Sequence, residues 1–219
     1  YHCFGCGAHG DAIAFLREFD NLGFTEAVEE LAGRLGMEVP YDEAAKEEMR
    51  QVRTLTGALD QASAFYRQSI REHPNAAVAR DYLAHRGVDA ETAERFQLGF
   101  APPEGDALVR HVDQQTREAL LRVKTISDRY GKPRDLFRNR LMFPIRNTRG
   151  RTVAFGGRTL GDDKAKYINS PESEVYHKSR EIYGLYEAQQ ASRRIQRLLV
   201  VEGYMDVVAL SQHGITYTV

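Results

Sequence analysis

Cysteine is scarce in this chain, and long apolar runs are absent. Two cysteines in 219 residues exclude the disulfide-dense secreted scaffold, whose small core is stapled by several bridges. No apolar stretch reaches the roughly 18 residues of a membrane-spanning helix, and no apolar h-region precedes a small-residue cleavage site. Internal repeats and low-complexity tracts are also missing. The chain is 42% hydrophobic and 28% charged, enough to build one or two packed domains of a soluble protein. It opens at Tyr1 rather than at a methionine and closes on Ile215-Thr216-Tyr217-Thr218-Val219, which reads as a β-strand with nothing after it. Both ends read as cut, and the expectation is a piece of a longer protein.

The net charge of -1 conceals a dipolar layout. Residues 1–60 carry 5 Lys+Arg against 12 Asp+Glu, an excess of -7, whereas residues 121–180 carry 15 against 6, an excess of +9. Such a basic segment in an otherwise acidic chain predicts a surface facing a polyanion. A solvated basic face is the plainer alternative.

Local patterns divide the chain. Gly10-Asp11 ahead of Ile13-Ala14-Phe15-Leu16 predicts a short helix capped by Asp11. Val28, Leu31 and Leu35 share one face of a second helix, with Thr25 as its cap and Gly36 as its stop. From Asp42 to about Arg53 the composition is charged and weakly apolar, and reads as a partly helical tether. Residues 55–96 read as helices, broken at Pro74-Asn75 and ended at Gly87, with Asp89 capping a third. Leu98 to Pro103 then reads as an extended segment and turn. Strand signals follow at 125–127, 141–145 and 152–155, with turns at Tyr130-Gly131-Lys132 and Arg149-Gly150. The end reads as helix (185–191), strand (197–201), helix (204–213) and strand (215–219), an order that implies a parallel sheet.

Three constellations could carry chemistry. Cys3-Phe4-Gly5-Cys6-Gly7 is a C-x2-C knuckle whose glycines let backbone amides turn around two thiolates, as one half of a zinc site requires. His2 and His9 lack the offset to complete it. A redox dithiol or two buried structural cysteines are the alternatives. Glu202 ends an apolar strand before Gly203, where α/β sheets place ligands, and Asp206 lies one turn into the next helix. Two carboxylates there suit a hard divalent cation and, through it, phosphate oxygens; an exposed turn Glu and a helix-surface Asp are the plain alternative. Third, Arg138, Arg140, Arg146, Arg158, Lys166 and Lys178 interleave with Phe137, Phe143 and Tyr167, a mix that suits phosphate contacts and base stacking on a single strand. Gly156-Gly157 ahead of Arg158 would permit a close backbone approach or an anion-binding turn.

In this order the three constellations resemble the bacterial replicative primases (DnaG family). Residues 1–7 are similar to the second half of the family's zinc ribbon. Phe137-Arg138-Asn139-Arg140-Leu141-Met142-Phe143-Pro144-Ile145, Phe155-Gly156-Gly157-Arg158 and Lys166-Tyr167-Ile168-Asn169-Ser170-Pro171-Glu172 resemble the signatures of the polymerase core. Glu202-Gly203-Tyr204-Met205-Asp206-Val207 looks like the first motif of a Toprim fold.

The resemblance implies a mixed α/β (α+β) architecture in parts: half a zinc ribbon (1–40), a linker (41–54), a helical and β amino-terminal core subdomain with a basic groove (55–196), and the first β-α-β of a Toprim fold (197–219). It implies structural Zn2+ on Cys3 and Cys6, and catalytic Mg2+ or Mn2+ on Glu202, with Asp206 as a further acidic position. Arg138, Arg140, Arg146, Arg158, Lys166 and Lys178 would hold template or triphosphate, and Arg86 matches a basic position of the helical subdomain. Implied partners are single-stranded DNA, NTPs, the RNA–DNA hybrid, the replicative helicase and the single-stranded DNA-binding protein, for a cytoplasmic monomer at the replication fork with no membrane contact. Two departures stand out. Leu136 occupies a position that is usually basic, and the family's D-x-D metal motif would fall beyond Val219, so the 219-residue piece is expected to be inactive alone. A phage or organellar primase-helicase is a second reading, and a non-catalytic zinc/Toprim recombination protein a third; the string 138–145 between the two modules argues against the third.

Overall fold

The computed structural model describes residues 1–20, 22–128, 131–192 and 195–219. Two compact units divide between Met49 and Arg50. In the first, Asp11 accepts the Ala14 amide at 2.7 Å and starts α1 (Ala12–Phe19). α2 (Phe24–Arg34) begins one residue before the expected Thr25. Its cap is Gly23, whose amide donates to the Glu26 carboxylate at 2.7 Å, because Glu26 can reach back to that amide from the third helical position. Gly36, with φ +66°, takes the left-handed conformation that ends the helix. Leu16 and Ala27 are the buried apolar residues here, while Phe4, Phe24, Leu35 and Met37 are exposed. A core this small contributes little stability by itself.

The tether segment is helical. α3 (Glu43–Glu72) runs through it without a break, since Asp42 caps it by accepting the Ala45 amide and no proline interrupts it between Pro40 and Pro74. A single 3-10 turn (Pro74–Ala76) leads into α4 (Ala77–His85), then α5 (Ala90–Arg95), capped by Asp89 as predicted. β1 (Gly99–Ala101), α6 (Ala107–His111), α7 (Gln114–Arg122), β2 (Ile126–Ser127) and β3 (Arg134–Asp135) follow. Tyr130 of the predicted turn lies outside the described residues.

The main sheet is antiparallel, in the order β1, β4 (Arg140–Arg146), β5 (Thr152–Thr159), β6 (Tyr167–Asn169). Every residue of β4 is buried, which explains its unbroken apolar run Leu141–Ile145. Leu141, Phe143 and Ile145 pack in one core with α4 and α5 residues, while Met142 packs in a second with α3 residues such as Leu59 and Tyr66. Pro144 is tolerated inside this strand because β1 pairs only with residues 140–142, leaving no partner on that side for an amide proline lacks.

At the end, α8 (Leu185–Ala191) and α9 (Tyr204–Gln212) appear as expected. The flanking segments do not form full strands. They meet as one parallel bridge, Leu199 to Thr218, held by Leu199 N–H to Tyr217 O at 2.9 Å and Val219 N–H to Leu199 O at 2.8 Å. That bridge is the only parallel pairing among the described residues.

Candidate nucleic-acid interface

The basic residues fall into two groups, and the structure corrects part of the expectation. Arg140 is buried, bonding Gly157 O and Ala165 O and pairing with Asp163 at 3.0 Å. Arg146 is buried against Glu187 and also donates to Arg95 O at 2.7 Å. Both guanidinium groups are neutralised within the fold, so neither offers its charge to a nucleic acid. They knit strands and helices together instead.

Arg86, Arg138, Lys166 and Lys178 are exposed, and Arg158 is half-buried. Arg158 and Lys166 come together in a cleft of about 460 Å³, with Tyr82, Val78, Leu160 and Asp163 completing its walls. The backbone brings them there, since the Thr159 amide donates to Lys166 O at 2.9 Å. The Tyr82 ring centroid lies 4.0 Å from the Arg158 guanidinium carbon and 5.4 Å from that of Arg86, so Arg86 shares that ring without lining the cleft. Arg138 and Lys178 line neither this cleft nor the next one. Tyr82 escaped the sequence reading, although it stands four residues before Arg86, the helical spacing that puts two side chains on one face.

Glu202 sits in a second cleft of about 480 Å³, with Tyr167, Asn169, Glu181, Tyr204 and Val219. Burial raises the Glu181 carboxyl above its ordinary range, with His177 pulling the other way. Tyr204 donates its hydroxyl to Asn169 Oδ1 at 2.9 Å. Burial also raises the Tyr167 phenol, which Arg158 and Arg86 pull back down. Asp206 is exposed on the first turn of α9, outside the cleft lining. Consecutive residues at the start of β6 line different clefts: Lys166 the basic one and Tyr167 the acidic one.

Gly156 and Gly157 lie inside β5 rather than in an anion-binding turn. A Cβ on Gly156 would overlap the Tyr204 ring, and one on Gly157 would come within 2.7 Å of Phe137. The pair exists for close packing. Gly156 lets Tyr204 rest against the sheet, and so positions the turn that carries Glu202.

Cys3 and Cys6 are exposed free thiols, which removes the reading as buried structural cysteines. The Cys6 amide, then the Cys6 thiol and the Gly5 amide, hold the Cys3 thiol below its ordinary range. Two exposed thiols at this spacing fit zinc in donor chemistry but supply half of a tetrahedral set. Among the described residues no group of three or more His, Cys, Asp or Glu is arranged to hold a metal ion.

Residues 65–189, more than half of the chain, match the family described as DNA primase catalytic core, N-terminal domain. The chain belongs to the DnaG family of bacterial DNA primases. Residues 1–47 match the CHC2 zinc finger, so Cys3 and Cys6 fall within a module built around a structural zinc ion. A DNA primase of Salmonella typhimurium is 52% identical over 225 residues, covering 100% of this chain and 39% of that primase. The chain thus spans about two-fifths of its relative's length. A DnaG primase catalytic domain bound to single-stranded DNA superposes with a TM-score of 0.73 at 47% identity, covering 78% of this chain and 54% of that one. The zinc-binding and RNA polymerase domains of the Aquifex aeolicus primase give 0.69 at 37% identity, covering 99% and 52%. Among the described residues no helix is long and apolar enough to cross a membrane.

Proposed function

We infer that the protein synthesises short RNA primers from NTPs on a single-stranded DNA template, by metal-dependent nucleotidyl transfer. The observation that carries this reading is that consecutive residues, Lys166 and Tyr167, line two unlike clefts, one offering Arg158, Lys166 and an aromatic face, the other offering the Glu202 carboxylate. Cations with an aromatic face suit the phosphates and bases of a single strand. A carboxylate beside them suits the metal and phosphate end of a nucleotide. That a related primase domain is described as bound to single-stranded DNA supports the template assignment.

Mg2+ or Mn2+ would be held by Glu202, with Asp206 near at hand on the first turn of α9. The ion would supply charge stabilisation at the reacting phosphate. Two exposed carboxylates bind such an ion only with several waters and substrate oxygens, so residues 1–219 alone are expected to be inactive in primer synthesis. Arg86, Arg138, Arg158, Lys166 and Lys178 are the residues assigned to template or triphosphate. The modules assigned to this function are the zinc-ribbon half (1–40), the linker (41–54), the core subdomain (55–196) and the start of a Toprim domain (197–219). The protein would act as a monomer at the replication fork with the RNA–DNA hybrid, the replicative helicase and the single-stranded DNA-binding protein.

The test is primer synthesis by the full-length protein. Glu202→Gln keeps the size of the side chain and removes its charge; it is expected to lower the rate at least about a hundredfold with template binding little changed. A near-normal rate would remove Glu202 from the mechanism.

A further inference from the structure

A cation that grips phosphate must be held in place without being neutralised, and the arginines of this fold differ in whether a carboxylate pairs with them. Arg140 and Arg146 are paired with carboxylates, Arg146 while also lying 4.6 Å from the Tyr186 ring centroid. Arg158 and Arg86 have no carboxylate partner among the described residues. What they share is one ring, Tyr82, whose centroid lies 4.0 Å from the Arg158 guanidinium carbon and 5.4 Å from that of Arg86. A cation–π contact orients a guanidinium while leaving its formal charge and most of its donors unspent. Arg158 uses Nη1 to bond Thr159 O at 3.1 Å, and its Nε has no partner.

The ring itself is well anchored. Tyr82 lies on α4, half-buried, and packs against the core that includes Leu141, Phe143 and Ile145. Its hydroxyl is covered and makes no hydrogen bond, so the aromatic face, not the phenol oxygen, carries the interaction. Tyr82, itself a lining residue of the basic cleft, therefore joins a residue on the main sheet to one at the end of α4.

We propose that Tyr82 is a positioning residue, a charge-sparing platform that sets Arg158 and Arg86 for neighbouring phosphates of a single-stranded DNA. This rests on reading the basic cleft as the template surface.

The experiment is anisotropy of a labelled oligothymidylate, titrated with full-length protein at several salt concentrations, with a thermal melt of every variant. Tyr82→Phe keeps the ring and is expected to bind within about twofold of the parent protein with an unchanged salt slope. Tyr82→Leu, or Tyr82→Met if the leucine variant does not fold, should bind about five- to tenfold more weakly, with a slope shallower by about 0.7, one phosphate contact on a single strand. A purely structural role would lower the melting temperature without moving that slope. The proposal is overturned if the ringless variant binds with parental affinity and slope while Arg158→Ala weakens binding, or if Tyr82→Phe is as weak as Tyr82→Leu. A change confined to ATP affinity, measured without the oligonucleotide, assigns the platform to a triphosphate and overturns it too. If neither Arg158→Ala nor Arg86→Ala alters binding, the cleft is not the template surface, and the platform falls with it.

Discussion

The Arg146 guanidinium and the Glu187 carboxylate lie 2.5 Å apart, each side chain only 6% exposed. Arg146 sits on the last residue of β4 and Glu187 on the first turn of α8, so the pair ties the sheet to a helix 41 residues further on. Removing one partner strands the other as a buried charge, which costs far more than the pair contributes. Glu187→Ala should therefore destabilise the protein by about 3–5 kcal/mol, read by chemical denaturation. Replacing both residues with well-packed apolar ones should restore most of that loss. A double replacement no better than Glu187→Ala would show that the pair's hydrogen bonds, not its charge, hold β4 to α8.

Asp135 responds to pH. Its carboxylate accepts the amides of Leu108 at 2.8 Å and Val109 at 3.1 Å at the start of α6. Burial nevertheless raises its pKa from 3.8 to about 6, against the pull of those two amides. A raised acid holds its proton longer folded than unfolded, so its favourable contribution is complete below about pH 4 and is lost as pH rises through 6. The total is on the order of 3 kcal/mol. Denaturation of the parent protein and Asp135→Asn between pH 5 and 7 should show the difference in stability between them changing with pH. A constant difference across that window would mean Asp135 titrates normally.

Gly156→Ala tests how the sheet seats the acidic cleft. The added methyl would collide with the Tyr204 ring, which is in turn stacked on Phe143 with centroids 5.3 Å apart. Overpacking of this kind costs roughly 1–3 kcal/mol. It should also displace the turn at Glu202, so that primer synthesis falls more than the melting temperature alone would suggest. Parental activity in a destabilised Gly156→Ala protein would separate the glycine from the site.

The zinc module makes its own prediction. Cys3→Ser or Cys6→Ser in the full-length protein should lower bound zinc from about one ion per chain to nearly none, because loss of one thiolate opens a tetrahedral structural site. Metal analysis with thiol titration reads the result. Full zinc retention by both variants would place the ion elsewhere.

For template binding, contact with about four to six phosphates predicts a slope of about -3 to -4 in log K against log salt. Arg158→Ala with Lys166→Ala should make it shallower. A slope indifferent to that double change would move the interface away from the cleft.

Much of this protein is determined locally and is legible in its residues. Asp11 and Asp89 cap helices because a carboxylate can reach the amide three residues on, and Gly36 and Gly87 stop helices because they adopt positive φ. The C-x2-C knuckle and the concentration of positive charge in 121–180 are likewise properties of the chain itself. Which of those charges remain available is not. Arg140, Arg146 and Arg158 look alike in sequence, each flanked by strand residues. Only the fold brings Glu187 to Arg146, Asp163 to Arg140 and Tyr82 to Arg158, and a guanidinium's usable charge depends on the group it meets in space. The same holds for Gly156-Gly157, whose close neighbours Tyr204 and Phe137 come from other elements. Caps, stops and composition act over a few residues; neutralisation and close packing act across the core, where the tertiary structure decides them.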